Sequence, residues 1–362
     1  MPDALAQVLT APGRWEPTRF TRPEVGDDDA LLEVEACGIC GTDVDVVAGT
    51  IATRGPVIPG HEAVGRIAAI GPRAAARWGV RVGDRVVVPA EIGCGACPDC
   101  VVGRPCAAPV GNYGFVPVTT PPALWGGFAE AMYLAPGANP LPVAAHVPPR
   151  SAALFNLLGA GFSWGVGATG LGVGDSLAVF GPGQRGLACV VAARSVGARR
   201  VFVTGLGTRD AHRLALAADL GAEVIDVEHD DAAERILTAT EGIGVDAAVD
   251  TTPHATRPVL DALRVTRAGG TVVLAGLKGP GRTVDGLATD DIALRRLTVR
   301  GVRAVDAAGF AAAITLLESG AVPTERFLTH SFGLADAAAA VQTLSDPTAA
   351  AIAVTIEPAL GR

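Results

Sequence analysis

The sequence is short of several things, and each shortage narrows what the protein can be. Only 18% of its 362 residues are charged, against 49% apolar, which gives it material for packed cores and excludes a disordered chain. The net charge is −8, so there is no attractive field for nucleic acid or for anionic lipid. Long apolar runs are lacking: stretches such as 152–158 and 187–193 are too short or too interrupted to span a bilayer. The opening residues, Met1-Pro2-Asp3-Ala4-Leu5-Ala6-Gln7, hold no basic stretch followed by an apolar core, so no signal peptide is expected and a cytoplasmic location is. No internal repeat is found. Aromatic residues amount to only 4%, which makes those gathered between 113 and 164 conspicuous.

Glycine, by contrast, is abundant at 46 residues and proline reaches 26, as suits a turn-rich α/β protein with backbone packed close to ligands. The length exceeds that of one usual hydrophobic core, so two domains are expected. The first 150 residues read as β-rich, with short apolar runs at 31–34, 64–70 and 85–88 between Gly, Pro and Asp turns. A proline-rich passage over 136–149 follows, either an ordinary loop or a hinge near an interdomain cleft. From about 158 the pattern alternates. Strands are predicted at 176–180, 201–204, 223–226, 245–250 and 271–275, with helices at 187–195 and 210–220, which implies a parallel sheet wound with helices. Beyond 297 come two helices, 307–319 and 334–344, and a terminal strand, 351–356.

The first of those strands runs directly into Gly181-Pro182-Gly183-Gln184-Arg185-Gly186 and then an apolar helix. In that setting Gly181 permits a tight turn, Gly183 lets the backbone approach a pyrophosphate, and Gly186 lets helix and strand pack closely. The helix start, at Gln184 and Arg185, offers free N–H groups to the phosphates. The end of the next strand bears on which dinucleotide is bound. The place where an acidic residue usually takes the ribose 2′-hydroxyl is Gly205, followed by Thr208 and Arg209. A glycine leaves room for a 2′-phosphate, Arg209 can pair with it and Thr208 can hydrogen-bond to it, so NADP is expected over NAD. The alternative is that Arg209 merely opens a helix as a solvated charge.

Seven cysteines are an odd number, and six lie between 37 and 106; in a reducing compartment such clusters are metal ligands more often than disulfides. Cys94, Cys97 and Cys100 stand at two-residue gaps with Cys106 following, a set of four thiolates suited to a closed tetrahedral zinc. Upstream, Cys37-Gly38-Ile39-Cys40-Gly41-Thr42-Asp43 and Pro59-Gly60-His61-Glu62 offer a thiolate, an imidazole and a carboxylate that can converge on a second zinc with an open position. Asp43 can accept a hydrogen bond from His61 and fix its tautomer. Cys37 and Cys189 read as core thiols.

These segments, with Gly83-Asp84-Arg85-Val86 and Gly126-Gly127-Phe128-Ala129-Glu130, occur in the order seen in zinc-containing medium-chain alcohol dehydrogenases, and the chain resembles that family over nearly its whole length. The resemblance implies a β-rich GroES-like catalytic domain, 1–157 plus 298–362, with a doubly wound Rossmann cofactor domain, 158–297, inserted. It also implies that Cys40 and His61 are catalytic zinc ligands and Glu62 a neighbouring or exchanging one. Thr42 would be the proton-relaying hydroxyl, and Cys94, Cys97, Cys100 and Cys106 the ligands of a structural zinc. The implied partner is a small alcohol or carbonyl compound, and the implied assembly a homodimer or homotetramer. This chain departs from the family at three points. The Cys100–Cys106 gap is about two residues short, Asn156 stands where many relatives have a Cys or Glu ligand, and Asp45 stands where some have a relay histidine. Hydride would pass between the carbinol carbon and NAD(P), with zinc polarising the oxygen. Two rival readings stay open: a related reductase that has lost catalytic zinc and reduces an activated C=C or iminium, and a dinucleotide-binding protein without turnover. For the substrate, Phe115, Trp125, Phe162 and Trp164 either line an apolar pocket for a medium-sized secondary alcohol or ketone, with a polyol or sugar as alternative, or belong to the cores.

Overall fold

The computed structural model describes residues 3–102, 104, 106 and 111–361, and the elements below are counted among these described residues. The chain divides into two compact units, Met1–Asn156 with Ile314–Arg362, and Leu157–Ala313.

The first unit opens with an antiparallel hairpin, β1 (Ala4–Ala11) and β2 (Arg14–Phe20). The long strands β3 (Ala30–Gly38) and β4 (Glu62–Ile70) then pair antiparallel, with β5 (Arg85–Val88) beyond β4. The short pair β6 (Glu91–Ile92) and β7 (Gly111–Asn112) flanks the cysteine loop. β8 (Ala131–Leu134) joins β3, and β9 (Leu141–Pro142) joins β5. In β3 the apolar side chains turn inward while Glu33 is exposed and Glu35 half-buried, the period-two alternation of a sheet with one wet face. Short helices connect these strands: α1 (Gly41–Val47), α2 (Pro72–Trp78), α3 (Pro98–Val101), α4 (Pro149–Ala152) and α5 (Phe155–Ala160).

The second unit is built on a six-stranded parallel sheet. Its strands are β10 (Ser176–Phe180), β11 (Arg200–Gly205), β12 (Glu223–Asp226), β13 (Val245–Asp250), β14 (Thr266–Leu274) and β15 (Thr298–Gly301). They lie in the order β12-β11-β10-β13-β14-β15, so the winding reverses between β10 and β13. That reversal leaves a crevice at the carboxyl ends of the strands, where such sheets bind ligands. β10 is buried at all five positions, as a central parallel strand covered on both faces must be. Helices α6 (Gln184–Ser195) and α7 (Gly207–Asp219) make the first two crossovers. A π-helical turn, Gly161–Gly167, packs on α6 so closely that a Cβ on Gly161 would lie 2.2 Å from the Ala188 carbonyl. Periodicity did not foresee that turn.

The parallel sheet outruns the boundary expected at 297: β15 pairs with β14 from Thr271↔Thr298 to Leu274↔Gly301. The return to the first unit falls at Ile314, inside the helix Ala307–Glu318, because hydrogen bonding to β14 keeps residues 298–301 in the sheet. Two strands then complete the first unit's sheet, β16 (Leu328–Phe332) and β17 (Ala353–Ile356), giving the order β16-β17-β3-β4-β5-β9. Cys37 and Cys189 are both fully buried core thiols. No helix among the described residues is long and apolar enough to cross a membrane.

Candidate active site and metal centres

β3 delivers its last residues into α1, and Cys40 is the N-cap of that helix. The capping is reciprocal in geometry: Asp43, at the third helical position, accepts the Cys40 backbone N–H at 3.0 Å. The same buried carboxylate accepts the Gly60 N–H at 3.2 Å and lies 3.2 Å from His61 Nδ1. One aspartate thus ties the Cys40 turn to the turn before β4. That second turn depends on Gly60, whose φ is +87° and whose missing side chain would meet the Phe128 ring at 2.4 Å.

The two turns bring together the residues the sequence singled out. The Cys40 sulfur, a His61 ring nitrogen and a Glu62 carboxylate oxygen lie within 4.8 Å of one another, all on buried residues. Burial works to lower the His61 pKa, but the Asp43 carboxylate and Cys40 outweigh it and hold it well above the ordinary imidazole value. Thr42 Oγ1 is 3.7 Å from Cys40 Sγ, and Thr42 is half-buried. Asn156 Nδ2 donates to Glu62 Oε1 at 2.5 Å, so the amide braces the carboxylate. Gly38 makes space for the other oxygen, since a Cβ there would lie 2.6 Å from Glu62 Oε2. The donor set of thiolate, imidazole and carboxylate suits zinc and leaves a tetrahedral position open.

The four cysteines of the loop between β6 and β7 also converge. Sγ separations are 3.9 Å for Cys94–Cys100, 3.8 Å for Cys97–Cys106 and 3.6 Å for Cys94–Cys106. Four sulfurs each about 2.3 Å from a tetrahedral zinc stand about 3.8 Å apart, so this spacing fits the ion despite the short gap before Cys106.

Of the four aromatics named as pocket candidates, Phe115 is half-buried with its ring centroid 5.8 Å from that of His61. Trp125 is a core residue instead: it is 8% exposed, donates its indole N–H to the Thr120 carbonyl and meets Tyr133 edge-on. Trp164 donates to the Ala304 carbonyl and carries Arg185 over its ring, and Phe162 is half-buried on the same π-helical turn.

In the second unit the glycine motif behaves as its spacing predicts. Gly181 has φ +99°, and a Cβ on Gly186 would lie 1.9 Å from the Gly181 carbonyl oxygen. Around Gly183, the N-cap of α6, no atom stands within 4 Å of where a Cβ would be, so that side is open to a ligand. Gly205 has close neighbours. A Cβ there would lie 2.7 Å from Pro182 and 3.1 Å from Leu214, so packing against these two side chains is itself a reason for glycine at this position. Thr208 and Arg209 are also engaged. The Thr208 N–H donates to Glu228 Oε2 at 2.7 Å, its hydroxyl lies 2.8 Å from both Glu228 oxygens, and Arg209 Nε is 3.4 Å from Asp210 Oδ1.

Sequence reasoning passed over Glu228, Asp226 and a buried pair at the end of β13, where Lys278 Nζ lies 2.6 Å from the fully buried Asp250. A signal existed: each acid ends or directly follows a parallel strand, at the carboxyl edge where ligands bind.

Comparison with known proteins agrees with this geometry. Residues 26–144 match the family described as alcohol dehydrogenase GroES-like domain, and residues 186–319 match the family described as zinc-binding dehydrogenase. The chain is 47% identical over 323 residues to a Mycobacterium tuberculosis protein named "Probable alcohol dehydrogenase adh", covering 88% of each. It is 32% identical over 344 residues to an erythritol/L-threitol dehydrogenase of Mycolicibacterium smegmatis, covering 91% of each. Among solved structures, a Sinorhizobium meliloti 1021 protein described as a zinc-binding dehydrogenase and bound to NADP matches with a TM-score of 0.86 and 28% identity, covering 99% of this chain and 100% of that one. Two metal-fitting clusters on a GroES-like unit and a wound dinucleotide-binding sheet in the same chain define a class, and the chain belongs to the zinc-dependent medium-chain alcohol dehydrogenase family. It is accordingly an NAD(P)-dependent oxidoreductase of alcohols and carbonyl compounds.

Proposed function

We propose that Cys40, His61 and Glu62 hold a catalytic zinc and that Cys94, Cys97, Cys100 and Cys106 hold a structural one. The convergence of three buried, chemically distinct donors within 4.8 Å carries the reading. A zinc held by these three residues would supply Lewis-acid polarisation of an alcohol or carbonyl oxygen, and a bound nicotinamide would supply the hydride acceptor or donor. The protein's own residues prepare that exchange. Asp43 stands 3.2 Å from His61 Nδ1, where its carboxylate favours a proton on that nitrogen and would leave Nε2 for a metal. Asn156 holds Glu62 toward the cluster. Thr42, half-buried on the first turn of α1, takes the substrate's hydroxyl proton and passes it outward; in the reverse direction it returns one. Gly181, Gly183 and Gly186, with the start of α6 at Gln184 and Arg185, seat the pyrophosphate.

The proposed substrate is a medium-sized secondary alcohol or its ketone, with Phe115 beside His61 as an apolar wall. Polyols belong in the same screen, since the relative at 32% identity is named for two of them. The assembly is proposed to be a homodimer or homotetramer working in the cytoplasm. On the dinucleotide, Arg209 favours a 2′-phosphate and the carboxylates around Thr208 oppose one.

Metal analysis of the purified chain should give two zincs. Cys40→Ala should hold one, lose alcohol oxidation and bind dinucleotide much as the parent does. Turnover retained by Cys40→Ala overturns the catalytic-zinc assignment. A parent chain with one zinc and an empty inner cluster shifts the reading to a related reductase that works by hydride alone.

A further inference from the structure

The start of α7 is the place on a wound sheet where the adenosine ribose is read, just past the end of the second strand. Helix starts attract anions, because the first backbone N–H groups have no partner within the helix. In NADP-binding proteins of this fold, an arginine near that point accommodates the 2′-phosphate.

In this chain that end of α7 carries its own anions. The Leu206 N–H donates to Asp210 Oδ2 at 3.1 Å and the Gly207 N–H to Asp226 Oδ1 at 2.8 Å. The Thr208 N–H and hydroxyl are both taken by Glu228, at 2.7–2.8 Å. Register explains why these acids arrive here. Gly205, the last residue of β11, is the direct neighbour of Asp226 on β12, and Glu228 follows two residues on, with its N–H also on Asp226. Asp226 could not come so close if position 207 had a side chain, since a Cβ there would lie 2.0 Å from Asp226 Oδ2.

The charges then count against a phosphate. Asp210, Asp226 and Glu228 face Arg209 and Arg213, and both arginines lean on Asp210, at 3.4 and 3.3 Å. His229 sits 3.2 Å from Asp226 and is spent there. A dianionic 2′-phosphate seated on the Thr208 N–H and hydroxyl would have to displace the Glu228 carboxylate and lie beside that of Asp226. A 2′-hydroxyl, by contrast, is a donor, and Glu228 is an exposed carboxylate held in place with lone pairs to spare.

We infer that Glu228 selects the dinucleotide: it accepts a hydrogen bond from the free ribose 2′-hydroxyl and excludes the 2′-phosphate, so that this chain uses NAD. The inference rests on the dinucleotide site proposed above, and it reverses the preference for NADP drawn from Gly205 and Arg209.

The test is a fluorescence titration of the full chain with NADH and with NADPH, in the absence of alcohol, for the parent and two variants. The parent should bind NADH at least about tenfold more tightly than NADPH, the scale of one unscreened like-charge contact near a surface. Glu228→Gln should move the two constants in opposite directions, tightening NADPH about tenfold and weakening NADH about threefold. Glu228→Lys should make NADPH the preferred ligand. A parent that prefers NADPH, or a Glu228→Gln variant in which both constants move together, overturns the inference while leaving the dehydrogenase reading intact. Binding of neither dinucleotide overturns both.

Discussion

Asn156 is the residue at which this chain departs most visibly from the zinc-ligand pattern it resembles. Its amide is a donor toward Glu62, at 2.5 Å, and a carboxylate braced in that way keeps its remaining lone pairs for a cation. Replacing Asn156 by Ala should therefore weaken zinc at the inner cluster by about 10- to 100-fold, the usual cost of losing an outer partner of a ligand, and should spare the four-cysteine cluster. Chelator competition followed by metal analysis would check this without reference to turnover. Unchanged zinc affinity would mean that Glu62 needs no brace. The sequence singled out Cys40, His61 and Glu62, because they are of types that bind metals, and the structure brings their donor atoms within 4.8 Å of one another. It did not show Asn156 as a donor, since a hydrogen bond between residues 62 and 156 depends on how two distant segments pack. Gly205 has a second meaning that the sequence does not show. Its smallness also meets a packing demand from Pro182 and Leu214, and a demand of that kind is visible only once the neighbours are known.

The cysteine loop shows what an element can do without a core of its own. Among its described residues, α3 is a single short turn and contributes no buried residue, while β6 and β7 are two residues each. Sulfur positions already spaced for an ion suggest where the ordering energy comes from. Cys106→Ala should lower the zinc content from two per chain to one and the melting temperature by about 5 °C or more, with the inner zinc kept. Calorimetry with metal analysis would show it, and an unchanged melting temperature would mean that the loop is held by protein contacts. Elements of regular pattern were the easiest to read. The limits of β5, β10 and β13 agree with the predicted strands, because strands buried on both faces leave largely apolar stretches between turn residues, and those of the more exposed edge strand β12 agree as well. The π-helical turn over Gly161–Gly167 gave no such signal, because its form is dictated by contact with α6.

At the scale of the molecule, the first unit depends on an ion-pair cluster beneath its sheet. Arg85 is buried, contacts Glu35 at 2.5 Å, and donates to the carbonyls of Ala145 and Val147, while Arg66 reaches Glu35 at 3.1 Å. Burial pushes the Glu35 carboxyl up, but the guanidiniums of Arg85 and Arg66 outweigh it and hold its pKa below the ordinary 4.5. The stability this contributes is fully present above pH 4.5 and is lost as pH falls through the lower folded value. Glu35→Gln should cost about 2–3 kcal/mol at neutral pH, allowing for partial exposure, and should flatten the fall in stability below pH 4.5. Urea unfolding across that range would test it, and parallel curves for parent and variant would refute the role.

β17 gives the order of chain synthesis a meaning. It pairs with β3 at Cys37 and Gly38, and the Ile39 N–H donates to the Val354 carbonyl, directly before the Cys40 turn. A ribosome therefore releases the thiols proposed to bind zinc long before the strand that backs them, with the whole parallel-sheet unit emerging in between. The inserted unit has all its strands in hand while its host is still a half-made sheet with bare sulfurs. During that interval the nascent thiols are exposed to oxidants and to competing metals, so the yield of active enzyme should depend on zinc supply during translation as well as after it.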